Sequence, residues 1–81
     1  MMRVADMPKI DNEFWGMFEV GFIPFEPHVK AGEIIDSGFS NSFVTAPKGP
    51  GYYDLYQAYY IPYRNDQPYT GFAGWKWVKV K

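Results

Sequence analysis

Proline and glycine punctuate this chain so densely that no long helix fits. Seven prolines and eight glycines lie among 81 residues, and in a helix interior a proline costs about 3 kcal/mol and a glycine about 1 kcal/mol. The pieces left between them are short and rich in aromatic residues, which suits strands. The expected fold is mainly β: a single small domain of four or five mostly antiparallel strands, forming a twisted sheet or an open barrel. An α+β arrangement with residues 52–61 helical is the alternative.

At about 100–200 residues per ordinary domain, the chain has room for one core and no second lobe. With 47% hydrophobic and 21% aromatic residues, it carries enough apolar surface to fold, since disorder goes with few aromatics and high net charge. It has no cysteine and one histidine, His28, which excludes disulfides, thiolate metal sites and multi-histidine centres within one chain. No cofactor or metal is expected. The start, Met1 to Pro8, lacks the apolar stretch of a secretory signal, and the longest mainly apolar run, Phe14 to Phe25, is well short of the roughly 20 residues a spanning helix needs. A cytoplasmic location without membrane attachment is the default expectation.

Along the chain, residues 1–12 read as an irregular lead-in, with one helical turn after Asp6 in which Pro8 would take an early position. Residues 13–81 read as the β-rich domain. Phe14 to Ile23 reads as the first strand, its alternate residues Phe14, Phe18 and Phe22 forming the core side. Pro24 and Pro27 remove backbone donors, so the segment holding them belongs at an edge, a bend or an extended loop. Ala31-Gly32-Glu33 is a turn candidate. Glu33 to Ser37 and Phe39 to Thr45 flank Gly38, which marks either a bulge or a break between two strands. Ala46 to Gly51 is a loop. Tyr52 to Tyr63 fits both periods, but tyrosine favours strands, and a hairpin between Tyr53–Ile61 and Tyr69–Val80, bulged or broken at Gly71 and Gly74, is the most specific expectation.

Catalysis has little support. The serines and threonines lack a nucleophile motif with an aligned base, and Lys48-Gly49-Pro50-Gly51 lacks the ending of a phosphate-binding loop. The chain reads as a non-enzyme. Net charge is −1, but residues 1–40 carry three basic against seven acidic groups and residues 41–81 five against two. Halves that interleave in the fold would neutralise one another; halves that do not would present an acidic and a basic surface.

Two surfaces remain as candidates. Six tyrosines, Tyr52, Tyr53, Tyr56, Tyr59, Tyr60 and Tyr63, crowd one segment, more than one strand readily buries, and tyrosine is enriched where proteins meet. They point to a protein-binding module, an inhibitor or adaptor that occludes a surface of a larger partner, with a phage or mobile-element origin and a host defence enzyme as target among the compatible settings. Surplus aromatic surface also leaves a homo-oligomer open. The alternative is single-stranded nucleic-acid binding. Trp75, Trp77, Lys79 and Lys81 would share one strand face opposite Lys76, with Arg64 nearby, and would combine base stacking with phosphate neutralisation.

Overall fold

A computed structural model describes residues 3–38, 42–61 and 71–81. Six strands account for most of them: β1 (Glu13–Trp15), β2 (Phe18–Lys30), β3 (Ile34–Asp36), β4 (Phe43–Thr45), β5 (Tyr52–Tyr60) and β6 (Gly71–Lys79). The domain is mainly β, and every strand pair is antiparallel. A four-stranded sheet has the order β1-β2-β5-β6, and β3 and β4 form a separate two-stranded sheet. The helical alternative for residues 52–61 gives way to β5. The expected hairpin is the β5–β6 pair, running from Tyr53↔Lys79 to Tyr60↔Gly71; the polar connection expected at 64–68 lies outside the described residues.

The first strand departs from its expected form. Gly16 and Met17 make a two-residue turn between Trp15 and Phe18, with Gly16 at a φ of 71°, as the first central residue of a II′ hairpin turn requires. The turn reverses the chain and resets its alternation. Phe14 pairs with Glu19 and Trp15 with Phe18, so Trp15 shares the face of Phe18, Val20 and Phe22 and packs its ring 5.9 Å from that of Phe22. Phe14 is left outside, 73% exposed. The helical turn also shifts: a single 3₁₀ turn spans Val4–Asp6, ahead of Pro8.

β2 shows how the prolines are accommodated. β1 covers only Phe18–Val20, so most of β2 is an outer edge, where missing donors cost least. The β2–β5 register slips between Pro24 and Glu26 and again between Glu26 and Val29. At the second slip His28 takes a left-handed φ of 51°, and its N–H donates to Asp54 Oδ1 at 2.9 Å. A turn follows at Ala31-Gly32, where Glu33 N–H donates to the Lys30 carbonyl (2.9 Å) and Gly32 supplies the positive φ of 79°. Gly38 proves to be a break between strands: Ile34 pairs with Thr45 and Asp36 with Phe43. The loop after β4 is clasped by its backbone, Ala46 N–H donating to Glu33, Gly32 N–H to Pro47 and Ala31 N–H to Gly51.

β5 lies inside the sheet, which explains why Tyr53 to Tyr56 and Ala58 are all buried. On one face Tyr56 is fully buried, and its hydroxyl donates to the Pro8 carbonyl at 2.6 Å. The lead-in thus closes over that face, and Met7 is buried with it. On the other face Leu55 is fully buried opposite Trp77, and Tyr53 sits edge-on to the Trp77 ring at 6.4 Å. One extra residue, Ala73, bulges β6 between the pairs Ala58↔Gly74 and Tyr59↔Phe72. The bulge expected at Gly74 is present, with a φ of 144°, whereas Gly71 simply opens the strand.

Candidate functional site

Period-2 alternation divides the tyrosines that were expected to share one surface. Tyr53 and Tyr56 are core groups, so neither offers its ring to a partner of the folded chain. Tyr59 is half-buried, its ring lying over Gly21, where a Cβ would come within 2.7 Å of the ring. An aromatic ring placed over a strand glycine fills the space of the missing side chain. Tyr60 is half-buried and edge-on to Phe18 at 5.7 Å. Tyr52 is 39% exposed and tilts against the His28 ring at 6.2 Å. Tyr63 and Arg64 lie outside the described residues. The six-tyrosine patch therefore reduces, within the described chain, to Tyr52 with partial contributions from Tyr59 and Tyr60.

β6 alternates as expected from Trp75 to Lys79, and Lys81 lies beyond the strand with its carbonyl accepting from Tyr52 N–H. Trp75 and Trp77 lie opposite Gln57 and Leu55, whereas Lys76 lies opposite Tyr56 on the other face. Both indoles are half-buried. Trp75 anchors an aromatic cluster, edge-on to Phe25 at 4.9 Å and to Phe72 at 5.1 Å. Lys79 and Lys81 are exposed. Lys76 is engaged: its ammonium lies 2.9 Å from Glu13 Oε2, and Trp15 Nε1 donates to the other oxygen of the same carboxylate at 3.1 Å. These two hydrogen bonds, that of Lys76 the larger, hold the Glu13 carboxyl below the ordinary glutamate value. Here the acidic and basic halves of the sequence meet and neutralise.

Alternation conceals a further set of groups. Phe14 and Met17 at the β1–β2 turn are 73% and 75% exposed, and Ile34 and Phe43 on the β3–β4 hairpin are 63% and 67% exposed. In the register Ile34↔Thr45 and Asp36↔Phe43, these two apolar groups share one face of a two-stranded sheet. An unbroken strand through Gly16 would put Phe14 on the core face, as the sequence pattern predicts. Placing Gly16-Met17 as a two-residue turn would have turned that assignment around.

Asp54 is a charged residue that the local sequence pattern does not mark as functional. It is fully buried on β5. Oδ1 accepts the His28 N–H and lies 3.8 Å from His28 Nδ1, while Oδ2 has no hydrogen-bond partner. The carboxylate thereby secures the bulge that carries His28. Its sequence signal is an acid in the alternate series Tyr52, Asp54, Tyr56, Ala58, a face otherwise apolar or aromatic.

A groove of about 540 Å³ runs between the lead-in and β2, lined by Met7, Ile10, Phe22, Ile23, Pro24 and Tyr59 among others. Lys9 is the one charged group among its lining residues, with no carboxylate or histidine beside it there. Among the described residues no three His, Cys, Asp or Glu side chains converge as a metal site would require, and no helix is long and apolar enough to cross a membrane. Compared with protein-family models, curated proteins and solved structures, the chain matches none.

Proposed function

We propose that this chain is a small non-enzymatic protein-binding module of the cytoplasm, an inhibitor or adaptor that acts by covering a surface of a larger protein. One observation carries the reading. Ten large apolar side chains are exposed among the described residues, against eight buried apolar residues, two of which are alanines. Exposed apolar surface marks sites where proteins associate; Phe14 and Met17 stand three residues apart at one hairpin, and Ile34 and Phe43 share a face of the other. Tyr52 adds a partly exposed ring with a polar tip. A phage or mobile-element origin, with a host defence enzyme as the occluded partner, fits a compact module whose contact groups stand on two hairpins.

The test is capture of partners from the native host by the tagged chain, compared with the double substitutions Phe14→Ala/Met17→Ala and Ile34→Ala/Phe43→Ala. Exposed positions cost little stability, within about 0.5 kcal/mol each, so both variants should melt as the parent does. At least one should lose a specifically captured partner, with affinity falling roughly 30-fold or more if a hot-spot residue is removed. A partner retained undiminished by both variants and by Tyr52→Ala contradicts the reading.

A second reading rests on a different observation: Trp75 and Trp77 share a face, with Phe72 and Phe25 against Trp75 and with Lys79 at its margin. Such a face could stack bases of a single strand at about 1–3 kcal/mol per base. On that reading, titration with mixed-sequence single-stranded DNA quenches tryptophan emission, and binding weakens steeply with salt. Unchanged emission at low salt eliminates it.

A further inference from the structure

The two long edges of the main sheet are treated differently. Along β2, the stretch that β1 leaves uncovered contains Pro24, Pro27, two slips in its register with β5 and the left-handed His28, and the first turn of the lead-in lies near the strand. These are the devices by which proteins keep a strand edge from pairing. β6 has almost none of them. From Trp75 to Lys79 it is continuous, contains no proline, and is paired with β5 on one side only among the described residues.

Backbone polarity of that edge follows from one bond. Val80 N–H donates to the Tyr52 carbonyl at 3.0 Å. Alternation in an antiparallel ladder then turns Val78 and Lys76 toward β5, and turns the N–H and C=O of Trp75, Trp77 and Lys79 outward. Their side chains stand on the face that holds Leu55 and Gln57. The edge therefore offers three outward backbone positions, two flanked by indoles and one by an exposed lysine.

Charge identifies the occupant. Residues 71–81 carry Lys76, Lys79 and Lys81 and no acid. Lys76 is tied to Glu13, whereas no described carboxylate lies within ion-pair distance of Lys79 or Lys81. Two copies of β6 in parallel register would bring these lysines together, and like charges on adjacent strands are destabilising; an antiparallel copy centred on Trp77 would set each Lys79 beside Trp75 and bring it no acid. An added strand of the opposite sign gains from the same arrangement.

We propose that β6 accepts an extended acidic segment of a partner protein as a fifth strand of the sheet. In strand addition the backbone provides affinity and alternate side chains provide selection. The segment would set apolar residues beside Trp75 and Trp77 and an acidic residue beside Lys79, each two positions apart, with a further acid toward Lys81 just past the end of β6. The proposal rests on the protein-binding reading above and names the chemistry of the partner.

The probes are two blocked heptapeptides, Glu-Thr-Glu-Thr-Val-Thr-Val and its reverse, which cover antiparallel and parallel addition, each with a counterpart in which lysine replaces glutamate. With the full chain, one acidic peptide should shift the backbone amide resonances of Trp75, Trp77 and Lys79 more than those of Lys76 and Val78. Its affinity should fall at least threefold between low and high salt, because exposed pairs are screened. Lys79→Pro, which removes an outward donor and leaves the β5 ladder intact, should reduce binding tenfold or more. Lys79→Glu keeps the donor and should shift preference toward the lysine peptide, so the charge test stands even where the proline variant fails to fold. Binding of neither acidic peptide, or binding indifferent to Lys79→Glu, overturns the proposal. A dimer of the free chain that Lys79→Pro dissolves would instead assign the edge to a second copy, and overturns it too. If the peptides fail while a native partner is still lost on hairpin substitution, the edge assignment falls and the protein-binding reading stands.

Discussion

Replacing Tyr56 by alanine is expected to remove about 3–5 kcal/mol of stability, the usual cost of deleting a buried aromatic ring. A domain of this length holds only about 4–12 kcal/mol in total, so the variant should melt at least 12 °C lower by the scaling for small domains. Tyr56 is fully buried on an interior strand and reaches the lead-in through its hydroxyl; its loss opens a cavity and frees residues 3–12 together. Tyr56→Phe keeps the ring and loses only the bond to Pro8, a cost of about 1 kcal/mol. The pair also separates at high pH. Burial, and secondarily the neighbouring Asp54 charge, raise the Tyr56 hydroxyl above its ordinary value of 10.0. A raised folded value means that the contribution is complete below the unfolded value and is lost as pH rises through the folded one. Thermal melts between pH 8 and 12 should show the parent losing stability above about pH 10 more steeply than Tyr56→Phe. Equal slopes would show that the hydroxyl is not held in its neutral form by the fold.

Gly51→Ala should be the most damaging glycine substitution tested against an open-space control. Gly51 adopts a φ of 107°, and a Cβ there would collide with the carbonyl of Lys81. The collision is with backbone, so no side-chain rotation relieves it. It falls where Tyr52 N–H donates to Lys81 and Val80 N–H to Tyr52, the bonds that close the end of the β5–β6 hairpin. The dihedral strain costs about 1–3 kcal/mol, and the displaced ladder adds to it. Gly32 also has a positive φ, 79°, but open space around its missing side chain; Gly32→Ala therefore carries the conformational cost alone, about 1 kcal/mol. Denaturant melts of both variants check the difference. Equal losses would mean that the Gly51–Lys81 approach contributes nothing beyond the dihedral.

How far the sequence could be read varied with the range of the interactions concerned. Short apolar runs bounded by Pro and Gly, with tyrosines in a bracketed segment, gave the β class and the β5–β6 hairpin, because strand propensity and turn chemistry are local. The same local reasoning put Pro24 and Pro27 at an edge, a bend or an extended loop; they lie within β2, beyond the stretch that β1 covers. It failed at Gly16-Met17, where a glycine that could sit inside a strand or at the head of a II′ turn was read as the former. Every side chain upstream changed face as a result, since a reversal resets a period of two. The candidate surface was less legible than the fold. Counting six tyrosines shows a surplus of aromatics, but whether a tyrosine is core or contact depends on which neighbours its strand acquires.

Sequence by itself determined that this chain forms one small antiparallel β domain, free of disulfides, with its last two long strands paired. Those properties follow from donors removed, dihedrals permitted and apolar area available, all of which are intrinsic to the residues. Only the tertiary structure decided that β5 is covered on both faces, so that Tyr53 and Tyr56 are buried while Tyr52 is partly exposed. It alone brought Glu13 to Lys76 and Asp54 to the His28 bulge, and left Phe14, Met17, Ile34 and Phe43 in solvent. Each outcome depends on which strands lie side by side, and strand order is set by contacts between distant segments that no local pattern encodes.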